Sequence, residues 1–138
     1  MRFKPCLAGL AVMLSLAAAS ARAEDCPVES HMMDDIIDAL NEAPSCDRAM
    51  KIFGACAFGS SGDIHFGAAV EKKCERDFLA RLKEPQKLLY QREIRVCDRK
   101  YRNEEGTMYR SFTAFCRAEV ARRYSRRALK AANASRAR

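Results

Sequence analysis

Six cysteines carry the clearest chemical prospect in this chain. Cys26, Cys46, Cys56, Cys74, Cys97 and Cys116 form an even set once Cys6, near the amino terminus, is set apart. In a short chain that folds in an oxidising compartment, an even set predicts a disulfide framework. The rival chemistry is zinc. No two of the six stand at the short spacing of a structural zinc site, and His31 and His65 are isolated from them. The run His31-Met32-Met33 offers imidazole and thioether groups, which suit copper. Met33 also falls on an apolar stripe and is expected in the core, which leaves too few ligands, so no metal and no cofactor is expected.

Catalysis has little to stand on. His31 and His65 are the only bases that titrate near neutral pH, and neither has a nucleophile in a recognisable motif. No Gly-rich phosphate loop or nucleotide fingerprint occurs. Both histidines are expected on the surface, no catalytic residue is assigned, and the chain is not expected to be an enzyme.

The redox compartment follows from residues 1–23. Arg2 and Lys4 form a basic start, Leu7 to Ala19 an apolar run, and Ala21-Arg22-Ala23 a small-x-small site for signal peptidase. The apolar run is shorter than the roughly 20 residues a spanning helix needs. A signal peptide cleaved after Ala23 is therefore expected, with a periplasmic or secreted product. Lipidation is not expected, because Cys6 precedes the apolar run and Cys26 follows Glu24-Asp25. The remaining 115 residues suffice for one domain with a modest core.

Charge is distributed unevenly. From Glu24 to Phe66 nine acidic and two basic residues give net −7, whereas from Gly67 to Arg138 nine acidic and twenty basic residues give net +11. Such asymmetry points either to a charged partner or to solvated helix faces. Arg122, Arg123, Arg126, Arg127 and Lys130 are the candidates for holding anionic lipid or wall polymer. Nucleic acid is not an expected partner, since the signal peptide removes the chain from the cytosol and no aromatic platform accompanies the arginines.

Helical periodicity dominates, and no segment alternates with the two-residue period of a half-buried strand. An all-α fold of about five short helices in antiparallel hairpins, stapled by disulfides, is expected. Ser30 is expected to cap a first helix with stripe Met33, Ile36, Ile37 and Leu40, which Pro44 closes. Ser45 caps a second, with Cys46, Ala49, Met50, Phe53 and Cys56 or Ala57 inward. A flexible loop from Gly59 to Asp63 follows. The third helix carries Phe66, Val70, Cys74, Phe78 and Leu82 at a four-residue step. Pro85 opens a fourth, with Leu89 or Tyr90, Ile94, Cys97 and Tyr101 on one face, and Gly106 is expected to cap its end. Thr107 is expected to cap the fifth, with Met108, Phe112, Phe115, Cys116, Val120 and Tyr124 inward and fraying from about Ser125.

Spacing narrows the disulfide pairing. If the last two helices fold back about Gly106, Cys97 and Cys116 meet, being nine and ten residues from the turn. Mirror symmetry near His65 would pair Cys56 with Cys74 and leave Cys26 for Cys46. Cys74 and Cys97 are also nearly symmetric about Pro85, so that pairing stays open.

The stretch Arg92 to Leu129 resembles the C-terminal half of the small secreted bacterial domain named after the LprI lysozyme inhibitor. The shared pattern is an Arg-acid pair before a cysteine, a polar stretch with a Gly-Thr turn, a second cysteine about twenty residues on, and an Arg-rich helix ending in leucine. Here these are Arg92-Glu93, Cys97, Gly106-Thr107, Cys116 and Arg123 to Leu129. Cys56 and Cys74, followed by Phe78 and Leu82, match that family's N-terminal cysteine pair. The chain departs from the family in lacking tryptophan and in having Glu105-Gly106 where a double glycine is common.

With the resemblance covering about residues 56–129, the expected organisation is 1–23 signal peptide, 24–55 acidic helical extension, 56–129 disulfide-bonded helical domain and 130–138 basic disordered tail. The resemblance also implies a binding protein that occupies a lysozyme-like enzyme. Animal lysozymes are typically basic, so Glu29, Asp34, Asp35 and Asp38 are the expected docking residues. The alternative is an envelope-associated structural protein held by its Arg-rich C-terminal helix.

Overall fold

The computed structural model describes residues 25–138; the expected signal peptide lies outside the described residues. Among these the fold is all-α, with five helices and no strand: α1 (Met33–Glu42), α2 (Cys46–Cys56), α3 (Asp63–Glu75), α4 (Glu84–Lys100) and α5 (Thr107–Arg136), with a 3-10 turn at Leu79–Arg81. No helix among the described residues is long and apolar enough to cross a membrane.

α3 is the central element, packed against α1, α2 and α5, while α4 lies on α5. An element enclosed from several sides buries more than one stripe. Phe66, Gly67, Ala69, Val70 and Cys74 are all buried, a wider face than the four-residue step anticipates. α3 also stops at Glu75. Phe78 reaches the core from the turn that follows, where its ring packs against Tyr90 and Tyr124 at centroid distances of 5.1 and 5.4 Å. Burying such rings contributes about 2 to 3 kcal/mol each.

α5 meets α3 through small residues. Ser111, Ala114, Ala118, Ala121 and Ser125 are buried at spacings of three and four, whereas Met108 and Phe112, expected inward, are 52% and 41% exposed. The two helix backbones approach closely at Gly67 and Ala114, which favours small residues in the seam, while Phe112 stands against the rings of Tyr101 and Tyr109. The expected fraying after Ser125 and the disordered tail from residue 130 are both overturned, because α5 runs to Arg136. At 1.5 Å per residue it is about 45 Å long. Ser125 hydrogen-bonds Asp77, and Ala128 packs on the core cluster.

Several ends differ from expectation. α1 begins after Met32, not after Ser30. The Ser30 hydroxyl accepts from the Met32 N–H at 3.3 Å and donates to Asp35. Ser45 does cap α2, accepting from the Arg48 N–H at 3.1 Å. α4 ends at Lys100, so Gly106 is not its C-cap; with φ 109° it is the N-cap of α5, and Thr107 is already helical. Met33, expected in the core, is 44% exposed, while Tyr90 rather than Leu89 is buried.

Three bridges join the elements: Cys26–Cys56, Cys46–Cys74 and Cys97–Cys116. The last is as spacing predicts. The expected Cys56–Cys74 and Cys26–Cys46 pairs, and the open Cys74–Cys97 alternative, are corrected. The cause is the position of the turn. His65 lies inside α3, and the α2–α3 hairpin folds about Ser60, from which Cys46 and Cys74 are each fourteen residues distant. Cys56, near that turn, is left to anchor the N-terminal arm through Cys26. Two bridges thus tie the segment 24–55 to the rest, and its Ile36, Leu40 and Phe53 belong to the same buried cluster as Val70 and Tyr124.

Candidate functional site

The acidic face expected for docking is assembled on α1. Its sequence MDDIIDALNE holds Asp34, Asp35, Asp38 and Glu42 and no basic residue. Ile36 and Leu40 turn inward, fully buried, and leave the four carboxylates exposed with Glu29 nearby in sequence. Like charges at the 34/38 and 38/42 spacings cost a helix a few tenths of a kcal/mol each, and Glu42 in the last turn opposes the helix dipole. Part of that cost is offset from α3, where Lys73 Nζ donates to the Asn41 carbonyl at 2.9 Å. Among the described residues Glu29, Asp34, Asp35 and Asp38 form no ion pair. Met32 and Phe58, 64% and 60% exposed, add apolar surface. Phe58 meets the edge of His31, and His31 itself adopts a left-handed φ of 51°.

The basic face of α5 is arranged differently. Arg122 donates to Asp47 at 2.6 Å and to Glu119 at 3.2 Å, Arg126 donates to Asp47 at 2.9 Å, and Arg123 donates to Glu93 at 2.7 Å. Arg127 lies over the Tyr124 ring, 5.6 Å from its centroid, and Lys130 is exposed. Burial raises the Asp47 carboxyl, but the hydrogen bonds and charges of Arg122 and Arg126 outweigh it and hold the group below its ordinary value. Three of the five residues expected to grip an anionic surface are therefore engaged with carboxylates of their own chain. The sequence dipole is partly closed on itself.

A third arrangement was not visible in the sequence. Arg117 reaches across from α5 and forks onto Glu71 of α3, Nε and Nη2 each at 2.9 Å from its carboxylate, while Nη1 donates to Asp98 of α4 at 2.7 Å. These three residues border a groove that also holds Arg110, Thr113 and Ala114. The only local signal was that 110, 113, 114 and 117 share one helix face. The partners of Arg117 stand 19 and 46 residues away, beyond any periodicity.

Polar groups elsewhere serve the fold. Asp63 is fully buried and accepts from the N–H groups of Phe58, Gly59 and Ser60 at 3.1, 2.9 and 3.3 Å, and from the Ser111 hydroxyl at 2.6 Å. Glu75 accepts from the Tyr90 hydroxyl at 2.9 Å; burial is the main reason its carboxyl is raised. His31 and His65 are exposed. Among the described residues no three His, Cys, Asp or Glu side chains converge as metal ligands.

Comparison with protein-family models, with characterised proteins and with solved structures finds no match to this chain.

Proposed function

We propose that this chain is a secreted or periplasmic binding protein that docks on a basic protein partner of the lysozyme kind through α1, in the manner of the LprI-type domain it resembles. The observation that carries this reading is the contrast between two charged faces. The carboxylates of α1 face solvent without an ion-pair partner among the described residues, beside exposed Met32 and Phe58, whereas Arg122, Arg123 and Arg126 are engaged within the fold. An apolar centre with a polar rim is the usual anatomy of a protein-docking surface. The engaged arginines also lessen the repulsion that a basic partner would meet.

The disulfide framework supports the compartment, since structural bridges persist where the surroundings are oxidising. The alternative, an envelope protein held on anionic lipid or wall polymer by α5, draws less support because that helix directs three arginines at its own acidic groups. The deciding experiment is lysozyme turnover with the oxidised protein in large excess. Inhibition is expected, weakening by at least about tenfold in Asp34→Lys/Asp35→Lys and weakening as salt rises. Unchanged turnover at large excess removes this reading. Salt-sensitive retention on anionic vesicles without lysozyme capture installs the alternative.

A further inference from the structure

The groove between α3 and α5 stands apart from the α1 face. Ile64, Gly67 and Ala68 line it from α3, Thr113 and Ala114 from α5, and its volume is about 360 Å³. That is within the range of small-molecule sites. The lining is largely apolar, and small side chains keep it open.

Its charges are incompletely paired. Glu71 and Asp98 share the single guanidinium of Arg117, which leaves one excess negative charge among the three. Arg110 borders the same groove but pairs with no carboxylate among the described residues. Arg110 and Asp98 therefore face one cavity without joining each other. A simple anion would meet the surplus carboxylate, and a simple cation would meet Arg110. A molecule bearing both charges side by side on an apolar body satisfies both groups, and a guanidinium suits a carboxylate because it donates two parallel hydrogen bonds.

We propose that this groove binds a free hydrophobic α-amino acid, with its carboxylate on Arg110, its ammonium toward Glu71 and Asp98, and its side chain over Ala68 and Ala114. The site is independent of the docking surface on α1 and holds whether or not the protein inhibits a lysozyme.

The test is calorimetric titration of the oxidised protein with L-leucine, and in parallel with its analogues lacking the ammonium (isocaproate) or the carboxylate (isoamylamine). Saturable leucine binding is expected, with each analogue weaker by about tenfold or more. Arg110→Ala should weaken leucine by a similar factor and leave isoamylamine unaffected, while Ala68→Phe should block all three by filling the groove. Positions 68 and 110 are exposed, so both variants should keep the parent's thermal unfolding. As a second readout, leucine should move the amide resonances of Thr113 and Ala114. Absence of saturable leucine binding, equal binding of either analogue, or undiminished binding by Arg110→Ala overturns the proposal.

Discussion

Gly67 of α3 faces Ala114 of α5 so closely that a Cβ at position 67 would lie 2.7 Å from the Ala114 Cβ and 3.0 Å from its carbonyl oxygen. This contact sets the separation of the two most extensively packed helices. A methyl there has nowhere to go, since part of what it meets is backbone. Gly67→Ala should therefore destabilise the protein by about 1 to 3 kcal/mol, although alanine favours the helical state by up to about 1 kcal/mol. A shift of the urea midpoint in the stabilising direction would show that the helices can separate at little cost.

Asp63 joins the α2–α3 turn to α5. Three backbone donors and Ser111 converge on one buried carboxylate, and charge-assisted bonds of this kind contribute about 1.5 to 3 kcal/mol each at most. Asp63→Ala should cost about 3 kcal/mol or more, and Ser111→Ala about 1 kcal/mol. The two substitutions should be strongly sub-additive in a double-mutant cycle, because both remove the same bond. Additive losses by denaturant titration would mean that Ser111 acts through packing alone.

Acid and neutral limits of stability should be governed by different carboxylates. Asp47 is held below its ordinary value, so its contribution is complete above the unfolded-state value near 3.8 and is lost as pH falls through the depressed folded one. The group is well exposed, which keeps the effect small. Glu75 is raised above 4.5, so the folded state binds its proton more tightly and stability declines as pH rises from the unfolded value through the raised one. Glu75→Gln, whose amide oxygen can still accept from Tyr90, should match the parent in acid and gain on it toward neutral pH. Denaturation midpoints measured from about pH 3 to about pH 8 check both limbs; parallel curves for parent and Glu75→Gln would refute the assignment.

Non-reducing peptide mapping should recover Cys26–Cys56, Cys46–Cys74 and Cys97–Cys116. In the chain-entropy picture the loops of 30, 28 and 19 residues stabilise by roughly 3 to 4 kcal/mol each. Removal of Cys97 and Cys116 together should cost slightly less than removal of either other pair, as thermal unfolding of the oxidised variants will show. A Cys56–Cys74 crosslink in the map would place the hairpin turn elsewhere.

Much of this architecture was written in local pattern. Ser45 before Cys46, Pro44 after the first helix and Pro85 at the start of the fourth each act within one helical turn, where sequence spacing and spatial distance are the same thing. The Cys97–Cys116 bridge was legible for the same reason, since one short turn separates its two helices. The acidic face of α1 was legible because charge alternates there with buried Ile36 and Leu40.

What the tertiary structure alone decided lies in long-range meetings. The small inward face of α5, the turn at Ser60, the closure of Asp47 on Arg122 and Arg126, and the fork from Arg117 to Glu71 all depend on how closely α3 approaches α5 and α5 approaches α2. Periodicity tells which side of a helix is apolar but not how near the next backbone will come. It marks large side chains as core even where, as beside Phe112, the buried seam is made by small residues such as Ser111 and Ala114.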